Sequence, residues 1–179
     1  MAQRIGLARG SRPHPFGRAT SFVLTPEAIY IGTGESFEIQ RYDLTGKLER
    51  IMRWPTEDLT IQESHLETYR SAELSKVDAA KRPALERWLA EMPGAASFPA
   101  FVRLEVDPSD NLWIEPFTRP GEAAGDWSVV DAEGEFLGKV AIQPAFTPPD
   151  IADDVVLGVV RDELGVERVR LYGLTRPEE

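Results

Sequence analysis

Residues 21–55 read "SFVLTPEAIYIGTGESFEIQRYDLTGKLERIMRWP", and the period of this stretch decides the fold. Phe22 and Leu24 alternate with their neighbours before a Thr25-Pro26-Glu27 turn, and Ile29-Tyr30-Ile31 follows as a short β-rich run. Gly32-Thr33-Gly34 breaks that run, after which Phe37, Ile39 and Tyr42 alternate with polar residues. Asp43-Leu44-Thr45-Gly46 is a further turn and leads into Leu48 and Ile51. A period of two broken by Gly, Pro and Asp clusters is the pattern of strands, because successive side chains point to opposite faces. The stretch therefore predicts four short antiparallel strands joined by tight turns.

The same pattern returns downstream. From Ala100 come Phe101 to Val106, the turn Asp107-Pro108-Ser109-Asp110-Asn111, Leu112-Trp113-Ile114, the loop "TRPGEAAGD", Trp127 to Val130, the turn "DAEG", and Phe136 to Ile142. Laid over the first stretch, Asn111-Leu112-Trp113-Ile114 falls on Ala28-Ile29-Tyr30-Ile31, and Asp131-Ala132-Glu133-Gly134 falls on Asp43-Leu44-Thr45-Gly46. Pro144 then falls near Pro55. A less regular third copy runs through Val155-Val156-Leu157, a turn near Asp162 to Gly165, and Val166 to Leu171. Repetition of a strand unit is how β-propeller blades appear in sequence. The expected fold class is all-β with a helical insertion, a partial β-propeller of about three four-stranded antiparallel blades. Its bounds are a blade at 19–55, a helical insertion at 57–92, a blade at 98–143 and a blade at 145–175, within a single domain spanning 1–179.

The insertion has a different period. Leu66, Tyr69, Leu85, Trp88, Leu89 and Met92 recur at helical spacing with charges between them. Thr60-Ile61-Gln62-Glu63 fits a capping box, and Pro83 divides the segment into two helices because proline cannot donate the interior hydrogen bond. Met92-Pro93-Gly94 ends it, and its Leu/Trp stripe is expected to pack on a sheet.

Composition narrows the function classes. Of 179 residues, 42% are hydrophobic and 28% charged, enough for one domain with its own core. Thirty acidic against twenty basic residues give a net charge of −10, and no basic stripe interrupts it, so no nucleic-acid partner is expected. The absence of cysteine rules out disulfides, zinc–thiolate sites and thiol nucleophiles. No apolar run approaches the length of a membrane span. "MAQRIGLARGSRPHPFGRA" lacks an apolar h-region, so no signal peptide is expected in this chain; the compartment is left open.

The combination of "NLWIEPFTRPGE", "DWSVVDAEGEFLGKV" and "DDVVLGVVRDELGVERVRLYGL" resembles the C-terminal part of bacterial TolB-like six-bladed β-propeller proteins, in a branch with a helical insertion. The resemblance runs from about Phe22 onward, most specifically in the last piece. Members of that group carry further blades upstream and are often exported to the periplasm or cell envelope. The resemblance brings no catalytic residues with it.

Candidate chemistry is sparse. Asp107, Asp110 and Asn111 offer the oxygen ligands that Ca²⁺ prefers, and calcium-dependent lactonases of propeller fold use Asp and Asn near the central channel. The spacing is not that of an EF-hand, and Ser, Asp and Asn are also what a hairpin turn requires, which is the favoured reading. No other cofactor is implied. Trp113, Phe117, Arg119 and Trp127 could line a recognition surface on a propeller face, or could pack between blades, the commoner use of Trp. "IGTGES" contains Gly-x-Gly, but a strand follows where a dinucleotide site needs a helix. His14 and His65 stand apart from any metal-ligand pattern, and no Gly-x-Ser-x-Gly elbow is present. Asp153-Asp154 reads as a solvated turn, and "RDELGVERVR" as a hairpin with charges facing water.

Three functions fit these residues: a non-catalytic propeller module that binds a protein or small-molecule ligand; a metal-dependent hydrolase of lactonase type; or a structural piece of a longer propeller. An array of three blades also leaves two inter-blade faces open. Such faces should be apolar and should drive self-association, two copies completing one ring, unless the helical insertion covers one of them.

Overall fold

A computed structural model describes residues 15–54, 57–92, 94–142, 150–152, 154–162 and 164–174. His14, Pro55, Pro93, Pro144 and Asp153 lie outside the described residues. The first sheet orders β1 (Ser21–Leu24), β2 (Ala28–Gly32), β3 (Glu38–Asp43) and β4 (Leu48–Arg53) as a plain antiparallel meander. Two helices follow, α1 (Glu63–Ser75) and α2 (Arg82–Glu91). The second sheet repeats the meander with β5 (Phe101–Val106), β6 (Leu112–Pro116), β7 (Trp127–Val130) and β8 (Phe136–Val140). The third contains β9 (Asp150–Ile151), β10 (Val155–Arg161) and β11 (Glu167–Gly173), in the order β11-β10-β9. The chain is thus all-β with a helical insertion, and its sheets are separate blades with no closed barrel. One expectation is corrected: the third sheet has three strands, and no fourth strand follows β11 among the described residues.

Register confirms the repeat. Leu24 pairs with Ile29, Val106 with Leu112 and Ile151 with Val156, so the first hairpin of each sheet is aligned on the same position. The amide of Thr25 donates to Ala28 O and that of Ala152 donates to Val155 O, while the second sheet inserts one residue and closes Asp107 N–H on Asn111 O. Hydrophobic burial then falls on both faces of the middle sheet. One cluster joins Ala28, Tyr30, Ile39 and Met52 of the first sheet to Phe101, Leu104, Leu112, Ile114 and Val130 of the second. A second cluster joins Trp113, Trp127 and Val129 of the second sheet to Ile151 and Val156 of the third. Strand alternation makes this possible, since Leu112 and Ile114 face one neighbour and Trp113 the other.

The insertion departs from its expected cap and seat. The N-cap of α1 is Gln62, whose N–H donates to His65 Nδ1 at 3.1 Å. Thr60 instead forms an isolated antiparallel bridge with Ser97, and Phe98 N–H donates to Leu59 O at 2.8 Å. Thr60 is thus paired across to Ser97, and the helix starts later than the Thr-x-x-Glu pattern suggests. Pro83 sits in the first turn of α2, where its missing donor costs nothing. Leu85 and Leu89 are buried, but α1 buries no residue completely. The expected seat on a sheet face is replaced by an aromatic cluster beyond the strand ends: Phe16 meets Tyr69 and Phe98 edge-on, both at 5.2 Å, and Phe98 stacks on Phe117 at 5.4 Å. Among the described residues no helix is long and apolar enough to cross a membrane.

Candidate functional site

Four hairpin connections share one local design. The carboxylates of Asp43, Asp107, Asp131 and Asp162 each accept, through Oδ1, two backbone N–H groups two and four residues on, at 2.8–3.0 Å. In each turn the amide three residues on donates back to the aspartate carbonyl. That residue needs a left-handed backbone: it is Gly46, Gly134 and Gly165 in three turns, with φ between 78° and 87°. In the fourth it is Asp110 with φ 63°, the one non-glycine residue with positive φ among those described. Aspartate tolerates this region better than most residues. Side chains that satisfy their own turn amides explain why Asp opens each connection.

Asp107 differs from its three counterparts in being buried, at 5% exposure. Its second oxygen, Oδ2, accepts Asn111 Nδ2 at 2.9 Å and Trp113 Nε1 at 3.0 Å. Together with the amides of Ser109 and Asn111, four donors face one carboxylate, which has about four lone-pair directions to offer. Asp107 is a tie: it closes the turn and anchors Trp113, which packs against the third sheet. Asp110 ties in the other direction. Tyr30 of the first sheet donates its hydroxyl to Asp110 Oδ2 at 3.2 Å, and Arg41 Nε donates to Tyr30 Oη at 3.3 Å, with Arg41 in turn paired to Glu49. Burial pushes the Tyr30 phenol above its ordinary range, keeping it a donor. Asn111 thus contributes to the turn while Asp107 and Asp110 point their oxygens at protein donors. Among the described residues no three His, Cys, Asp or Glu side chains are grouped to hold a metal ion.

The four aromatic and basic candidates are not brought to one place. Trp113 and Trp127, 3% and 4% exposed, lie in the core between the second and third sheets. Phe117 stacks on Phe98, and Arg119 lies over the Phe98 ring at 5.8 Å while donating to Asp58 O at 2.7 Å. The latter two therefore clamp the helical insertion at the end of the blades opposite the Asp107 turn.

A hollow of about 580 Å³ opens beside that turn. Leu24, Thr25 and Glu27 line it from the first sheet, Asp107 and Ser109 from the second, and Ile151 from the third. The first strand of each sheet contributes, so the hollow lies where the edge strands β1, β5 and β9 come together. Sequence reasoning named the Asp107 turn but not the Thr25-Pro26-Glu27 turn as its opposite wall. The signal was present in the superposition of the two hairpins.

A different polar group lies lower on the same face of the second sheet as Trp113. Arg103 and Glu115 are cross-strand partners 3.1 Å apart, and Glu105 faces Asp150 of β9. Burial holds the Glu105 and Glu115 carboxyls above the ordinary glutamate range, against the opposing pull of Arg103. Comparison with family models and with curated proteins returns no match for this chain.

Proposed function

We propose that the chain is a non-catalytic β-propeller-type binding module that receives a protein or small-molecule ligand at the hollow between its inner-strand turns. The hollow carries this reading: its size falls in the range of about 300–1,000 Å³ usual for ligand sites, and apolar side chains alternate there with turn oxygens. The resemblance of "NLWIEPFTRPGE" and the C-terminal repeat to TolB-like propellers supports the same reading, since propellers commonly bind at the mouth of the inner strands. Asp107 supports it too, because a Ca²⁺ ion at this turn would have to displace donors that hold Trp113 and the turn itself.

The test is a fragment library screened by saturation-transfer NMR against the wild type and Ser109→Trp, a substitution that fills the hollow from its exposed rim. Hits lost in the variant support the reading, and hits that all persist move the site elsewhere. Thermal melts in millimolar CaCl₂ and in EDTA should coincide. A calcium-dependent rise that disappears in Asp110→Ala would put a metal-dependent hydrolase in place of this reading.

A further inference from the structure

Each sheet of the array has two faces, and positional equivalence shows which neighbour each face is built for. Across the second sheet, Val106, Leu112, Val130 and Phe136 form one registered row; its first three members face the first sheet, with Leu112 and Val130 at 0% exposure, and Phe136 on the outer strand is 56% exposed. Across the third, the equivalent row is Ile151, Val156 and Tyr172, and it packs on the second sheet. Across the first sheet the same row is Leu24, Ile29, Tyr42 and Leu48, with Phe22, Ile31, Gln40 and Ile51 beside it. Here Leu24 is 65% exposed, Phe22 49%, Leu48 42% and Ile51 38%. The opposite faces tell the same story. Tyr30 and Trp113 occupy one equivalent position and are buried against the following sheet. Leu157, their counterpart in the third sheet, is 37% exposed, and its partner Leu171 is 63% exposed, with Val169 more open still.

The two bare faces are therefore not alike. The first sheet shows the face that its neighbours turn toward a preceding blade, and the third shows the face turned toward a following one. We infer that the occupant of both is a second copy of this chain, the third sheet of each copy stacking on the first sheet of the other, so that six sheets close a ring with two-fold symmetry. The contact between copies continues the stacking already seen within the chain, where the Tyr30 or Trp113 face of one sheet meets the Leu112 or Val156 face of the next. The helical insertion leaves both faces free, since it is anchored on Phe16, Phe98 and Phe117 beyond the strand ends. Strand spacing of about 4.8 Å and a rise of about 3.3 Å per residue give each face a footprint of roughly 250–300 Å². Two contacts, counted on both copies, cover on the order of 1,100 Å², which clears the roughly 1,000 Å² expected of a specific interface. Once one contact has formed, closure makes the second intramolecular, so each reinforces the other.

Light scattering coupled to size exclusion, over a hundred-fold range of concentration, should give a mass twice that of one chain. Two variants on exposed positions decide the arrangement: Leu24→Glu on the first sheet and Leu171→Glu on the third. Every contact in the proposed ring uses one face of each kind, so either variant alone should halve the mass. Mixing the two should restore a dimer through the one contact that retains both native faces. Burial of Trp113 and Trp127, read as blue-shifted fluorescence, reports that each variant is folded; Phe22→Lys and Val169→Glu repeat the test at independent positions on the same faces. A monomer at all concentrations overturns the inference. So does a dimer sensitive to only one of the two variants, which would mean like faces pairing, or a mass that grows without limit, which would mean stacking that does not close.

Discussion

The two contacts of the middle sheet differ in kind. Toward the first sheet the core is apolar across its width: Ile39, Leu104, Leu112, Ile114 and Val130 are all buried there. Polar ties at its border reinforce it, Tyr30 to Asp110 and Arg50 to the Glu133 carbonyl at 2.7 Å. Toward the third sheet only the part around Trp113, Trp127, Val129, Ile151 and Val156 is apolar. The remainder of that face holds Arg103, Glu105 and Glu115, and β9 offers just two residues to cover it. A shared repeat thus supports one contact that resembles a domain core and one that is part core and part charged seam. Desolvated carboxylates contribute less than the apolar area they replace. The first two sheets should behave as the cooperative unit, with the third opening from it at lower cost.

The largest effect should come from the strong contact. Phe101 is 2% exposed, and its ring approaches the Cα of Gly32 so closely that a Cβ there would lie 2.4 Å from Phe101 Cζ. Phe101→Ala empties a site whose walls come from both sheets, and such truncations cost about 3–5 kcal/mol. Urea unfolding should show this loss in the transition of the first two sheets. A cost below about 1 kcal/mol would mean that the first contact is not a packed core.

Much of this contrast was legible in the residues, and the rest was hidden for identifiable reasons. Alternation at Phe22, Leu24, Ile29 and Ile31 marks strands because a period of two survives any neighbour. The four Asp-opened turns carry their chemistry locally, in side chains that bond their own amides, so they too were readable. The superposition of Leu112-Trp113-Ile114 on Ile29-Tyr30-Ile31 held in the register. What alternation does not say is which face meets which neighbour, so Trp113 and Trp127 remained open between recognition and packing until the third sheet was seen beside them. The cap of α1 lies elsewhere for a similar reason: Thr60 fits the local pattern, but it pairs with Ser97, a distant partner that no local pattern names, and Gln62 caps the helix. The hollow beside Asp107 depends on two turns far apart in sequence, held near each other by the Tyr30–Asp110 bond across 80 residues, and no local pattern encodes such a meeting.

Asp107 offers a sharper probe because it holds Trp113, the residue the middle sheet packs on the third. Asp107→Asn keeps the shape of the side chain but replaces one acceptor oxygen by a donor, while four donors still converge on it. Trp113 Nε1 or an amide of the turn must then lose its partner inside a buried site. Hydrogen bonds to charged acceptors are worth about 1.5–3 kcal/mol, so a loss of about 2 kcal/mol is expected. Because Trp113 is released toward the third sheet, hydrogen exchange should accelerate more in β10 than in β2 and β3. Equal acceleration in all three would show that the tie is local to the turn.

The charged seam gives the smallest effect and a sign that can be fixed in advance. Burial raises the folded-state carboxyl of Glu105, with Asp150 and Glu115 adding repulsion, so the folded protein binds this proton more readily than the unfolded chain does. Its contribution to stability is therefore greatest below the unfolded glutamate value of about 4.3, and it is lost as pH rises through the higher folded value. At pH 8 the group is ionised in a place that disfavours charge. Glu105→Gln removes that penalty without unpairing Arg103, whose partner is Glu115. Partial solvent access discounts the gain to roughly a few tenths of a kcal/mol. Melting temperatures of the two proteins should accordingly differ at pH 8, with the variant higher, and converge as pH falls toward 4.5. The carboxylates of Glu38, Asp43 and Asp58 are held low by their hydrogen bonds and lose stability on acidification in both proteins alike, so they cancel from the difference. A variant less stable than wild type at pH 8 would mean that Glu105 supports the seam through an attraction to Arg103 stronger than its burial cost, and the contrast between the two contacts would narrow.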